Sequence, residues 1–185
     1  MNPPDAINHL CLACGLCCNG VLFRDVELQA TDDLETLQKL GLTIRPSRSA
    51  SRTPRFAQPC AALCSGNQCR IYAERPKRCR DFDCGVLKEV IQGELEVDDA
   101  LRLIRRALRH ANRIKSLLRQ LGDSAEHLPL ARRFSQTRRR IESEPHSEEA
   151  ADSFAELTLE VHHLNLLTYS RFYASSPGGT MGASG

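Results

Sequence analysis

The chain of 185 residues contains no tryptophan, and Phe and Tyr together make up only 5% of it. A large aromatic core is therefore excluded. Charge is almost balanced at +2, so net charge alone predicts no strong binding to polyanions. No apolar run approaches the roughly 18 residues that a membrane-spanning helix needs. The first residues, Met1 to Asp5, lack the basic and apolar regions of a signal peptide. These absences make the cytoplasm the expected compartment, without a membrane partner. There is also no glycine-rich nucleotide loop after a convincing strand, and no Ser/His/Asp constellation can be named, so no catalytic residue is assigned. Cysteine is absent after position 84.

Before that point there are nine cysteines. Four form one run, Cys11-x-x-Cys14-x-x-Cys17-Cys18, and Cys60, Cys64, Cys69, Cys79 and Cys84 form a second group. In a reducing compartment, thiols this dense bind metal or do redox chemistry more often than they form disulfides. The odd number also argues against a complete disulfide framework. A C-x-x-C step bends so that two sulfurs converge on one ion, and a second x-x-C step adds a third. Adjacent Cys17 and Cys18 do not easily reach the same ion. One of them completes a first centre while the other faces a further metal or bridges. Thiolate ligation suits zinc or an iron–sulfur cluster, and one to three centres are arithmetically possible. Packed thiolates repel, and Arg70, Arg75, Lys77, Arg78 and Arg80 lie where they could offset that charge. His9, two residues before the run, reads as polar surface rather than as a ligand.

The chain divides by pattern. Residues 1–93 hold every cysteine and six of the nine prolines and read as an irregular, metal-organised cysteine-cluster domain. Within it, Val21–Phe23 reads as a short strand. Thr31–Asp33 starts a helix that turns Leu34, Leu37 and Leu40 inward and stops at Gly41. Residues 42–44 form another extended piece, 46–59 an exposed loop with Arg45, Arg48, Arg52 and Arg55 in or beside it, and 85–92 a short helix. Residues 98–174 form a helical module. Leu101, Ile104, Leu108, Ala111, Leu118 and Leu121 mark one stripe. Pro129 opens a second helix with Leu130, Phe134 and Ile141, and a third runs from about 148 to 173. Residues 175–185, rich in Gly and Ser, read as a disordered tail. The fold class is thus mainly α, with the C-terminal helices in a three-helix arrangement.

Residues 102–140 carry twelve basic and two acidic residues, whereas 142–160 carry seven acids and no Lys or Arg. Arg102, Arg105, Arg106, Arg109 and Arg113 share one helix face, and Glu149, Asp152, Glu156 and Glu160 share another. The simplest reading is that these faces meet or lie side by side. The alternatives are a protein partner docking on the module, or phosphate groups of nucleic acid on the arginine face; no recognised nucleic-acid motif supports the latter. His162-His163 reads as surface, because adjacent helical residues diverge.

The run Cys11-Leu-Ala-Cys14-Gly15-Leu-Cys17-Cys18-Asn-Gly20, followed by Cys69-Arg-Ile71-Tyr72-Ala-Glu-Arg75-Pro76-Lys-Arg-Cys79-Arg80-Asp-Phe82, resembles the CxxCxxCC cysteine-cluster family, a zinc- or iron-chelating domain, over roughly residues 9–90. The resemblance implies Cys11, Cys14, Cys17, Cys18, Cys60, Cys69, Cys79 and Cys84 as metal ligands, with Cys64 outside the pattern. Ile71, Tyr72, Pro76 and Phe82 then read as scaffold, and Arg75 as a charge facing thiolates or a ligand. One branch of the family, the flagellin lysine N-methylases, is linked to S-adenosylmethionine chemistry and is much longer than this chain. The expected function is metal binding, as zinc or an iron–sulfur cluster, beside a helical interaction module. The alternatives are an iron–sulfur-dependent enzyme or enzyme subunit for protein or peptide modification, and a nucleic-acid-associated zinc protein.

Overall fold

The computed structural model describes residues 3–45 and 53–173, with side chains from His9 onward. Expectations for Arg48 and Arg52 and for the tail fall outside these residues. Helix α1 spans Pro3–Cys14, so the first cysteine pair is helical rather than looped. After it come strand β1 (Asp25–Glu27), helix α2 (Leu34–Lys39), strand β2 (Ile44–Arg45) and strand β3 (Arg55–Ala57). Helices α3 (Lys77–Arg80), α4 (Gly85–Ile91), α5 (Val97–Gln120), α6 (Leu130–Ser143) and α7 (Glu148–Thr168) follow, and a π-helical turn, Tyr169–Tyr173, extends α7. The fold is mainly α, as the periodicity predicts, with the cysteines in the first half and the C-terminal helices packed on one another.

Local chemistry sets several boundaries. The Asp33 carboxylate accepts the Thr36 N–H at 3.0 Å and caps α2. Leu37 is buried, while Leu34 is 37% exposed, so only part of the expected inward face is covered. Ser147 caps α7 by accepting from the Ala150 N–H. Pro129 stands at the N-cap of α6 rather than inside its first turn.

Two sequence expectations about strands shift. Val21–Phe23 is not extended pairing; the strand begins at Asp25, and Phe23 instead meets Phe82 edge-to-face at 5.0 Å. The end of the supposed exposed loop, Arg55–Ala57, is the central strand of an antiparallel sheet with order β1-β3-β2. Phe56 pairs with Val26 on one side and Ile44 on the other, and is 3% exposed. Polar neighbours hid one apolar residue that the sheet needs. Arg55 sits across from Asp25 and Glu27 and pairs with both carboxylates.

Two apolar cores result. The smaller contains Val26, Leu28, Leu37, Leu42, Phe56, Ala62 and Ile71. The larger joins Leu10, Leu16, Leu22, Val86 and Leu87 to the inner faces of α5 and α7. Its α5 side is Ala100, Ile104, Ala107, Ala111, Ile114, Leu117 and Leu118; the alanines allow close helix approach. The stripe read from sequence is therefore rotated: Leu101, Leu108 and Leu121 lie at its half-buried margin. The π-turn seats Phe172 in this core at 1% exposure, and the Tyr173 hydroxyl donates to the Leu22 carbonyl. The cysteine-bearing and helical segments thus share one core.

Candidate metal centres

Cys11 and Cys14 stand at i and i+3 on the last turn of α1, which points both side chains to one side. The helix ends at Gly15, whose φ of +62° is left-handed. Its carbonyl then accepts the N–H groups of Cys18 and Asn19, both at 2.9 Å, in a tight turn that carries Cys17 and Cys18. A Cβ on Gly15 would lie 2.6 Å from the Cβ of Asn67, so the second cysteine segment packs directly on this turn. Gly20 (φ +78°) is similarly close to Pro129, and its carbonyl accepts the Leu130 N–H at 2.9 Å. These contacts seat the run between the other cysteine loop and α6.

The second group is delivered by different means. The Cys60 N–H donates to the Cys18 carbonyl at 2.8 Å, which ties the two segments together. Leu63 and Cys69 form an antiparallel bridge. The Arg70 N–H donates to the Ala62 carbonyl at 2.8 Å, folding Cys60 and Cys69 back alongside each other. Cys79 lies on α3 and Cys84 stands immediately before α4. Cys64 is exposed, and all nine thiols are free of disulfides.

Electrostatics sort eight of these thiols into two sets. Burial pushes the Cys17 thiol well up, and Cys14, Cys84, Cys18 and Cys11 push it further. Cys11 is pushed up to about 11 by burial and then by Cys84, and Cys14 to about 12 by burial with contributions from Cys84 and Cys11. Cys18 rises to about 12 through burial, then Cys60, Cys79 and Cys69. Cys79 likewise rises to about 12 through burial, Cys60 and Cys69. One set is therefore Cys11, Cys14, Cys17 and Cys84; the other is Cys18, Cys60, Cys69 and Cys79. The packing agrees: the first set lies against the larger core, while Cys60, Cys69 and Cys79 lie against the smaller. Adjacent Cys17 and Cys18 fall into different sets. Cys64 raises the Cys69 thiol, so it borders the second set from an exposed position.

The sulfurs are not packed tightly. Among the described residues, no three thiols bring their sulfurs within 4.8 Å of one another. A single tetrahedral zinc, with bonds of about 2.3 Å, would hold its sulfurs about 3.8 Å apart.

Thiolate charge is opposed in two ways. Four sulfurs are lowered by backbone N–H groups two or three residues ahead: Cys14 by Leu16, Cys60 by Ala62 and Leu63, Cys69 by Ile71, and Cys84 by Leu87 and then Val86. The Ala62 N–H lies 3.4 Å from the Cys60 sulfur. The other is Arg75. Its guanidinium stacks 3.6 Å above the Tyr72 ring and donates through Nε to the Tyr72 carbonyl at 2.9 Å. From that position it lowers Cys11 in the first set and Cys18, Cys69 and Cys79 in the second. Arg75 thus acts on thiols of both sets. Arg70 lowers Cys60 and donates to the Leu40 carbonyl at 2.9 Å. Lys77 pairs with Asp81 at 2.5 Å, and Arg80 donates to the Arg75 carbonyl at 2.8 Å.

The helical module answers part of the charge pattern. Arg113 makes two bonds of 2.7 Å to Glu156, so the basic face of α5 and the acidic face of α7 meet there. His9 is exposed. Sequence reading missed one group: His110 on α5 meets Glu160 and His163 on α7. The available signal was Glu160-x-x-His163, an i, i+3 pair that presents two ligand types on one helix face.

No curated protein and no solved structure gives a significant match to the chain. Among the described residues, no helix is long and apolar enough to cross a membrane. The family model of the CxxCxxCC domain, described as a "putative zinc- or iron-chelating domain", matches residues 10–96, the segment that contains both thiol sets. Residues 10–96 thus match the CxxCxxCC family, and a zinc- or iron-chelating domain is what this segment is similar to.

Proposed function

We propose that this protein holds two metal centres, one on Cys11, Cys14, Cys17 and Cys84 and one on Cys18, Cys60, Cys69 and Cys79, and that each is an iron–sulfur cluster. The observation that carries the reading is the division of eight half-buried thiols into two sets of four. Four thiolates are the ligand complement of a [2Fe–2S] or [4Fe–4S] cluster. Burial makes bare thiolates costly in both sets, and bound metal cations offset that cost. The backbone N–H groups just ahead of the cysteines and Arg75 are the hydrogen bonds and nearby charge that tune such clusters. Cys64 stays outside both sets.

Zinc in each set is the second reading, favoured by the four-thiol count, which suits a closed structural zinc site equally well. Full-length protein purified without oxygen separates the two. Iron and acid-labile sulfide in cluster stoichiometry, with broad visible absorption that bleaches on reduction, supports the clusters. Colourless protein with two zinc ions and no sulfide overturns them in favour of zinc.

A further inference from the structure

His110 Nδ1 lies 2.7 Å from Glu160 Oε2, with only about a fifth of either side chain exposed. The His163 ring stands 5.8 Å, centroid to centroid, from that of His110. One ligand atom from each of the three residues lies within 4.8 Å of the others. A hydrogen bond between His110 and Glu160 accounts for two of them. It does not account for His163, which the i, i+3 spacing from Glu160 brings over the same point. Two imidazoles and a carboxylate, donated by two helices, are the ligand chemistry of a borderline divalent ion.

We propose that His110, Glu160 and His163 form a further metal site, free of thiols, for a divalent ion of the zinc class. Bonds of about 2.0–2.1 Å require the three donors to close in on one point. Exposed His163 has the freedom to do so, while the other two are already together. Three protein ligands leave a fourth position open to solvent or to a small anion. The surrounding cleft of about 450 Å³ is lined by Arg106, Arg109 and Arg113 besides the trio. Arg113 is neutralised by its paired bonds to Glu156. Arg106 and Arg109 oppose a bare cation, so this site fills after the thiol sets and binds more weakly, and its fourth ligand is favoured to be anionic.

The proposal stands apart from the identity of the metal on the thiols. Full-length protein retaining its thiol-bound metal is dialysed against zinc in competition with a chromophoric chelator, and the zinc taken up is counted beyond the metal already present. The wild type is expected to take one further equivalent. His163→Ala, at an exposed position that leaves the fold intact, is expected to take none, and so is Glu160→Gln, which keeps the shape of the side chain. Cobalt provides an independent reading: it should add weak ligand-field bands without thiolate charge-transfer absorption, and only in the wild type. Equal zinc uptake by wild type and both variants, or a cobalt spectrum dominated by thiolate bands, would overturn the site.

Discussion

Arg75 bears on thiols of both sets. It is held by stacking on Tyr72 and by a bond to the Tyr72 carbonyl, and its charge acts on thiols of both sets. Arg75→Ala should therefore speed loss of metal to a chelator from both centres, by about tenfold, the lower end for residues that support ligands without binding metal. Arg75→Lys keeps the charge but not the planar stack, and should fall between. Retention in Arg75→Ala equal to wild type would show that the guanidinium serves only the scaffold. The thiols themselves give a pH dependence. In the metal-free chain Cys14, Cys18 and Cys79 are pushed up to about 12, chiefly by burial, whereas in the unfolded chain they ionise near an ordinary thiol value of about 8.5. Above that value the unfolded state binds fewer protons than the folded one, so stability falls as pH rises from about 9 toward 12 and is fully present below about 8. Urea unfolding of metal-free protein at pH 7.5 and 10 checks this; equal midpoints would contradict it. Much of this scale was legible from the chain. The Cys17-Cys18 pair announces two directions of ligation, because neighbouring side chains diverge. Which distant cysteines join each one was not legible from spacing alone, since that depends on how the segment from Cys60 to Cys84 folds back.

At the scale of elements, the turn at Gly15 joins the two cysteine segments. Its left-handed φ and the 2.6 Å approach to the Asn67 side chain exclude a β-carbon without movement of the backbone. Gly15→Ala should destabilise the protein by about 2 kcal/mol or more, combining left-handed strain with the clash. It should also weaken the second set, because the Gly15 carbonyl holds the Cys18 N–H. Unchanged melting and metal content would mean that the Asn67 turn moves aside freely. Gly66→Ala is the control: it too is left-handed, at φ +78°, but nothing crowds it, so it isolates strain from packing. The elements legible in the sequence are those with local signals: the Asp33 cap, the amphipathic α5, and the helices ending before Gly93 and Gly122. The strands were not, because β1 and β3 are each three residues long and owe their pairing to partners some thirty residues away. No local pattern distinguishes Arg55–Ala57 from a loop until Val26 and Ile44 flank Phe56. The rotation of the α5 stripe has a similar cause. Its alanines look neutral in sequence, yet Ala100, Ala107 and Ala111 are fully buried in the larger core.

Across the whole molecule, the larger core ties the first thiol set to the helices. Leu16, between Cys14 and Cys17, is fully buried beside α5 and α7 residues. Leu16→Ala should cost about 2–5 kcal/mol and should lower the helical melting temperature as well as loosen the first set. Far-ultraviolet circular dichroism reads the former and chelator challenge the latter; a change confined to the metal would show that the two halves are energetically separate. The central claim is that eight cysteines form two centres rather than one, and metal analysis of Cys14→Ser, Cys79→Ser and the double variant, with Cys64→Ser as control, tests it most directly. Two centres predict that each single variant loses the metal of one set and retains the other, that the double variant loses both, and that Cys64→Ser loses neither. Complete loss in either single variant, or equal loss in Cys64→Ser, would contradict the division into two sets of four.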